Sequence, residues 1–479
     1  MTILTQTMNN VTKNFKETIN KYDLNNLFSN GVINDFNHYI NMIKFIDDVS
    51  STFSVSLYEN FLYKIDEAFF NSSYRKQFCE VINLPKRTLI TFYGEVTFKR
   101  RRYYDRNKKK EFCFVDEVLS LPSYISLDPF VCAKICEVSS HSSYAKTGKI
   151  VSEMIGKRMK FNDDPSREII SRALARNIVL NFKIPDIPYT LKETPKILYV
   201  MLDEKWVHSQ YNDDEDYMVK AAVVFENADL VYKYKKKKDS ENRIELLGKQ
   251  VLASIDNDLQ RQVLDYIYYS YDTDQIDEIA FMGDCASWVK TFHRGFKFHP
   301  HMKITVSIDG YHLSQAIQHI CTSKYNHFTD SFNQVIKSND KQGFKDLCNQ
   351  ILEYEPTRLD TIVKKQDYIL NNWRFIQTYF HKVFVKCSME AHISHCFADL
   401  FTARPRAYSE KGLRQLLKLR LLKVNNIDIQ KVYFEVSNNE YENKNILDLS
   451  SLDGNSNPNL PEGIRKVFNF INNNKLINI

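Results

Sequence analysis

Three short, largely apolar runs that each end on an aspartate constrain this chain's fold more than any other feature. Ile197–Leu202 runs into Asp203, Glu278–Met282 into Gly283-Asp284, and Lys303–Ile308 into Asp309. Runs of this length without polar alternation read as central strands buried on both faces. The segments 286–295 and 312–321 carry helical spacing. Tyr217–Phe225 and Leu230–Tyr234 suit an antiparallel pair, and Ile244–Tyr271 reads as helical. Strands alternating with helices give an α/β layer arrangement. In open α/β sheets ligands gather at the carboxyl ends of strands, and all three aspartates fall there.

A chain of 479 residues is too long for one core and suggests two or three domains. Residues 1–86 read as an N-terminal helical region. Residues 87–138 read as a basic β-hairpin or small sheet, in which Thr88–Phe98 is rich in β-branched and aromatic residues and pairs with Glu111–Val115. From Phe98 to Phe112, eight of fifteen residues are basic: Lys99, Arg100, Arg101, Arg102, Arg106, Lys108, Lys109 and Lys110. Such a ribbon can neutralise DNA phosphates. Its ordinary alternative is an edge strand blunted by charge. Residues 139–184 suggest a helix-turn-helix. One helix runs from Ser143 to Ile155 and stops at Gly156. A second starts near Asp163-Asp164-Pro165-Ser166-Arg167 and carries Ile169, Ile170, Ala173 and Leu174. Placed in a major groove, it would bring Arg167 to DNA, although any helical hairpin shares this pattern. After a proline-bearing linker, residues 195–321 form the first part of the α/β core. Residues 322–386 are a helical insertion, 387–425 a second part of the core, and 426–479 a tail of Asn-rich loops with a final short helix.

The totals exclude some classes. The net charge of +6 is modest, so the position of basic residues matters more than their number. No basic segment followed by an apolar stretch opens the chain, and no run is long enough to span a membrane. Nine scattered cysteines demand no disulfides. A cytoplasmic protein, nucleoid-associated through DNA, is the expectation.

Chemistry enters with a third acidic segment, Met389-Glu390-Ala391-His392-Ile393-Ser394-His395, which opens a helix-like run. Two aspartates at strand ends and a glutamate on a later helix suit two divalent ions, Mg²⁺ or Mn²⁺. Such ions clamp the attacking and leaving oxygens of a phosphodiester. Each acid alone has an ordinary reading as a helix cap or turn former. Arg404, Arg406 and Lys411 follow Glu390 and suit phosphate, with a solvated helix end as the rival. Trp373 could stack on an unpaired base or pack in the core, and Trp288 reads as core beside the site. Cys387, His392, His395 and Cys396 match no standard zinc spacing.

Taken in order, these stretches resemble a known family. They are Thr88–Tyr104 around Gly94-Glu95-Val96, Asp116-Glu117, Ser143-Tyr144, Leu202-Asp203-Glu204 with His208, and Gly283-Asp284-Cys285-Ala286-Ser287-Trp288-Val289-Lys290. Asp309-Gly310-Tyr311-His312-Leu313, Glu390–His395, Ala403-Arg404-Pro405 and Lys418-Leu419-Arg420 complete the series. Over about residues 85–425 the chain resembles transposases of the ISLre-type bacterial insertion sequences, related to the Mutator-like group of DDE transposases. The resemblance implies an RNase H-like core with a helical insertion before the last glutamate. Asp203, Asp284 and Glu390 would hold two Mg²⁺ ions for cleavage and strand transfer without a covalent enzyme intermediate. Asp309-x-x-His312 resembles the Asp/Cys-x-x-His of the wider group and makes His312 a candidate contact to the scissile phosphate. A hydrogen-bonded polar residue at a helix start is its other reading. The implied partners are double-stranded DNA, as terminal inverted repeats and target, and further copies of the chain on paired ends. Lys205, and Cys285 where the family has glycine, depart from the pattern. Two other readings stay open: a DNA-binding remnant that is inactive or domesticated, and a metal-dependent nuclease without strand transfer.

Overall fold

A computed structural model describes residues 12–13, 16–17, 19–20, 36–121, 125–156, 169–211, 216–231, 243–381, 394–402 and 407–443. The chain divides into two compact units, one formed by residues 1–185 and 428–479 and the other by residues 186–427.

The first unit opens with a long helix, α1 (Phe36–Asn71), and a short one, α2 (Ser73–Phe78). Five strands follow: β1 (Cys79–Asn83), β2 (Lys86–Thr91), β3 (Gly94–Lys99), β4 (Arg102–Asp105) and β5 (Lys110–Cys113). Strands β1, β4 and β5 make one antiparallel sheet, while β2 and β3 make a separate hairpin. Thr88–Phe98, expected as one strand, therefore folds back on itself. Gly94 has φ of 127°, a conformation that favours glycine. Thr91 Oγ1 donates to the Gly94 carbonyl and accepts from the Tyr93 amide, which ties the turn. Phe69 of α1 stacks on Phe114 at 4.2 Å and meets Tyr103 edge-on at 4.9 Å, anchoring the helix to the sheet. Next come α3 (Phe114–Val118), α4 (Pro129–Ser139), α5 (Tyr144–Gly156) and α6 (Arg172–Asn181). The second helix of the expected helix-turn-helix starts later than its sequence suggested. Ser171 caps it by accepting from the Leu174 amide, a stronger N-terminal device than the residues before it. Ile169 and Ile170 precede the helix. Asp163–Arg167 lie outside the described residues.

The second unit holds a five-stranded sheet of β6 (Ile197–Val207), β7 (Tyr217–Phe225), β10 (Gln250–Ser254), β11 (Glu278–Gly283) and β12 (Lys303–Ile308), in the order β10-β7-β6-β11-β12. Between β7 and β10 lies an accessory hairpin of β8 (Asn227–Val231) and β9 (Arg243–Leu247). The pairs β10–β7 and β7–β6 are antiparallel; β6–β11 and β11–β12 are parallel. Ile244–Tyr271, expected as helical, is instead β9, β10 and α7 (Leu259–Ser270). Gly248, with φ of 63°, turns the chain between the two strands. One sheet face, carrying Leu198, Val200, Leu202 and Phe281, packs on α7 and α8 (Ser287–Phe292).

Beyond β12 come α9 (Gly310–Cys321), α10 (Thr329–Lys337), α11 (Lys341–Tyr354), α12 (Leu359–Asn371) and α13 (Trp373–His381). Helical structure follows over the described part of 322–386, as the pattern suggested, and these helices share a core that includes Phe332, Phe344, Ile362 and Ile369. Helix α13 returns to pack on β12. Ser394–Ala398 forms a π-helical turn, and α14 (Glu410–Val424) packs on β10. The chain then rejoins the first unit as α15 (Ile429–Asn443) against α4. A stretch expected as tail is thus partly a structural helix. No helix of the described residues is long and apolar enough to cross a membrane.

Candidate active site at the ends of three parallel strands

The register of the parallel strands aligns the three aspartates. Gly283 of β11 lies opposite Leu202 of β6 on one side and Ile308 of β12 on the other. Asp203, Asp284 and Asp309 are each the next residue, so they occupy one step at one edge of the parallel ladder. Strand β6 does not end at Asp203, as the sequence suggested. It continues to Val207, paired there with β7 alone. Parallel pairing stops at Leu202, and that leaves Asp203 at the edge of a gap rather than at a strand end.

Close packing builds this edge. A Cβ on Gly283 would lie 2.8 Å from the Leu202 carbonyl oxygen and 2.8 Å from Val289 Cγ1, so only glycine fits between strand and helix. Asp203 and Asp309 are buried, and Asp284 is half-buried. Each uses one carboxylate oxygen on a local amide: Asp203 Oδ1 accepts from Glu204 at 2.7 Å, Asp284 Oδ1 from Ala286 at 2.8 Å, and Asp309 Oδ1 from Tyr311 at 3.0 Å. The last bond caps α9. The Asp309 amide donates to the Gly283 carbonyl at 2.8 Å, joining the second and third steps. Cys285 follows Asp284 with φ of 63°, a conformation that favours glycine. Burial pushes its thiol up to about 12.

His312 lies on the first turn of α9, with Nδ1 3.8 Å from Asp309 Oδ2, an ion-pair distance rather than a hydrogen bond. Burial pulls the imidazole pKa down. Asp309, Asp203 and Asp284 together outweigh burial and hold it above the ordinary histidine value. The field of all three carboxylates therefore converges on one ring.

The helical insertion braces the same edge. Tyr368 of α12 donates its hydroxyl to the Asp284 carbonyl at 2.7 Å. Burial, and then Cys285, Asp284 and Asp309, raise its pKa and keep the hydroxyl protonated as a donor. Tyr379 of α13 lies where a Cβ on Gly310 would fall. Sequence reasoning missed both tyrosines, since nothing marks residue 368 as a partner of one 84 positions earlier. Beside the site, Trp288 Nε1 donates to Glu204 Oε2 at 2.5 Å and Lys220 Nζ sits 5.7 Å from the Trp288 ring centre. Trp288 is thus half core and half polar anchor.

The remaining candidates separate. Glu390, Arg167, Arg404 and Arg406 lie outside the described residues. Trp373 is buried, bonded through Nε1 to Asn339 Oδ1 at 2.6 Å and edge-on to Phe344, a core role. Much of the basic run of the first unit is neutralised within the fold. Arg100 pairs with Asp116 at 2.8 Å, and Arg101 with Asp66 at 2.7 Å and Glu67 at 2.5 Å. Arg106 pairs with Glu80, Lys110 with Glu117, and Arg102 more loosely with Glu111 at 3.6 Å. Arg100 and Arg101 are mostly buried in these pairs, which makes them structural cations. Lys108 and Lys109 sit exposed on the β4–β5 turn.

The donors at the strand edge are carboxylate oxygens, the hard ligands that Mg²⁺ and Mn²⁺ favour. Among the described residues no ready group of three or more His, Cys, Asp or Glu side chains is placed to hold a metal ion.

Among known proteins, the family described as "Uncharacterised protein family (UPF0236)" matches residues 40–438. Similar proteins come from Caldanaerobacter subterraneus subsp. tengcongensis. One UPF0236 protein, whose name joins eleven TTE labels, is 26% identical over 78% of this chain and 75% of its own length. A second is 25% identical over 78% of this chain and 71% of its own, and a third 25% identical over 78% and 76%.

Proposed function

Because the chain belongs to the UPF0236 family, we propose a function for that family's architecture as it stands here: a DDE transposase with an RNase H-like core, cutting and joining insertion-sequence DNA ends. The observation that carries this reading is the single-step alignment of Asp203, Asp284 and Asp309 on adjacent parallel strands. Further support comes from the sheet order, three antiparallel strands continued by two parallel crossovers, the arrangement of an RNase H-like core. The helical insertion before Glu390 fits the same plan.

Asp203, Asp284 and Glu390 would hold two Mg²⁺ or Mn²⁺ ions. When bound, such ions lower the pKa of an attacking water and stabilise a leaving 3′ oxygen. The protein's own groups do the rest. Tyr368 fixes the backbone of Asp284, and Gly283 lets β6 and β11 approach closely enough to bring Asp203 beside it. His312, with Nδ1 turned to Asp309, keeps Nε2 for a phosphate oxygen and carries a proton that the carboxylates stabilise. Double-stranded DNA is the partner, met as paired element ends by more than one copy of the chain in the cytoplasm, at the nucleoid.

The test is Mg²⁺-dependent cleavage of a labelled duplex carrying the element end, wild type against Asp284→Ala. Products with 3′-OH ends that vanish in the variant support the assignment, and their joining to a second duplex separates transposase from nuclease. Cleavage that persists in Asp284→Ala removes Asp284 from the site. Specific binding without cleavage by either protein identifies an inactive remnant.

A further inference from the structure

We propose that the edge of the helical insertion formed by α13 and the start of α11 is a track for the phosphate backbone of duplex DNA leading to the aspartate edge. This rests on the DNA-processing reading above. An open groove of about 580 Å³ is lined by Asn339, Lys341, Trp373, Arg374, Gln377 and Thr378, with His381 at its end. Its polar side chains are the cations Lys341 and Arg374, neutral amide and hydroxyl groups and the His381 imidazole, whose Nε2 bonds Gln377 Oε1 at 3.1 Å, and no carboxylate lines it. Lys341, Arg374 and His381 are exposed. Among the described residues Lys341 and Arg374 form no ion pair, in contrast to the basic run of the first unit.

Lysines are held against the aromatic side chains of the same helix. Lys341 Nζ lies 5.8 Å from the Trp373 ring centre, Lys337 Nζ 5.8 Å from Phe380, and Lys290 Nζ 6.0 Å from Phe375. Stacking on a ring face fixes a lysine stem without neutralising its charge. Lys341, which of these three lines the groove, is therefore positioned but still available.

Spacing selects the ligand. Arg374 and His381 are seven residues apart on one helix, roughly 10 Å along its axis at 1.5 Å per residue. A small anion needs donors that converge on one point, whereas these are strung out as repeated phosphates would require. Trp373 is buried beneath Lys341, so the groove offers charge and no ring for base stacking. It fits a backbone contact without sequence preference. The groove lies on the helix that also reaches the candidate site, because α13 packs on β12 and its Tyr379 abuts Gly310 next to Asp309.

The test is fluorescence anisotropy of the full chain with a labelled duplex of arbitrary sequence, in EDTA, over a salt series. Lys341→Gln/Arg374→Gln should weaken binding about tenfold near physiological salt and lower the salt slope by about two. Lys324→Gln serves as control: it removes one charge from the same insertion, at an exposed lysine paired with Glu355, and should bind as wild type. Equal affinity and slope for the double variant and wild type would overturn the track, as would an equal loss in the control. The assay needs no catalysis, so a chain that fails to cleave but loses DNA in the double variant keeps the track while losing the transposase reading.

Discussion

Gly283→Ala isolates the contact on which the aspartate edge depends. Ordinary van der Waals contacts of a Cβ begin at 3.4 Å, and this one would meet the Leu202 carbonyl oxygen and Val289 Cγ1 at 2.8 Å each. Each approach is short by about 0.6 Å, and neither neighbour can retreat cheaply. Leu202 belongs to a strand paired on both sides, and Val289 is buried in the core against the sheet. Overpacking of this kind costs about 1–3 kcal/mol. A unit of this size loses roughly 2–4 °C per kcal/mol, so calorimetry of the full chain should show a Tm lower by about 2–12 °C. The added methyl also wedges β6 from β11 beside Asp203 and Asp284. If Asp203 and Asp284 hold Mg²⁺ as proposed above, the Tm gain on adding the ion should therefore shrink. Gly295→Ala is the comparison. Its Cβ would meet nothing within 4 Å, and any loss would come from its φ of 91° without touching the Mg²⁺ response. A Gly283→Ala protein that melts within 1 °C of wild type would refute the packing argument. Lower stability with an unchanged Mg²⁺ response would refute its link to the aspartates.

Three further outcomes follow from the geometry. Cys285→Gly should be more stable than Cys285→Ala by about 1 kcal/mol in urea unfolding, since both lose the buried thiol but only glycine relieves the φ of 63°; equal stabilities would show that the backbone is unstrained. Arg101→Ala should destabilise the first unit by about 3 kcal/mol, because it strands the buried carboxylate of Asp66, whereas a DNA-contacting surface arginine would change affinity and leave Tm alone. In metal-free protein, His312 has a folded pKa above its ordinary 6.5. Its protonated form thus adds stability fully present below that value and lost as pH rises through the folded pKa. Denaturant titrations in EDTA should show this loss in wild type and a flatter profile in His312→Asn, and parallel profiles would remove the histidine from the carboxylate field.

The centre of the fold was legible because burial on both faces leaves a plain mark: Ile197–Leu202 and Glu278–Met282 became neighbouring strands, with their aspartates in step. Legibility failed where a pattern serves two structures or a partner lies far away. Ile244, Leu246, Val251 and Leu252 fit a helix or two strands, and the turn at Gly248 decided between them. Strand β6 was read short because Glu204-Lys205-Trp206, paired on one side only, is polar enough to look like a loop. At Arg101 the basic run looked like a DNA surface because the acids that neutralise it, Asp66 and Glu67, stand more than thirty residues upstream on α1. The bond from Tyr368 to Asp284 has no sequence signature at all.

The first unit is built from both sides of the chain, and this sets an order of assembly. Phe130 of α4 meets Phe434 of α15 at 4.6 Å, Phe182 meets Tyr433 at 5.0 Å, and Gln430 donates to Glu137 at 2.6 Å. On the ribosome these partners are separated by the whole of residues 186–427. At about 5–20 residues per second, translating that stretch takes on the order of ten to fifty seconds. The later-encoded unit can thus finish folding while the earlier one waits with an apolar helix face uncovered, open to a chaperone for as long as synthesis lasts.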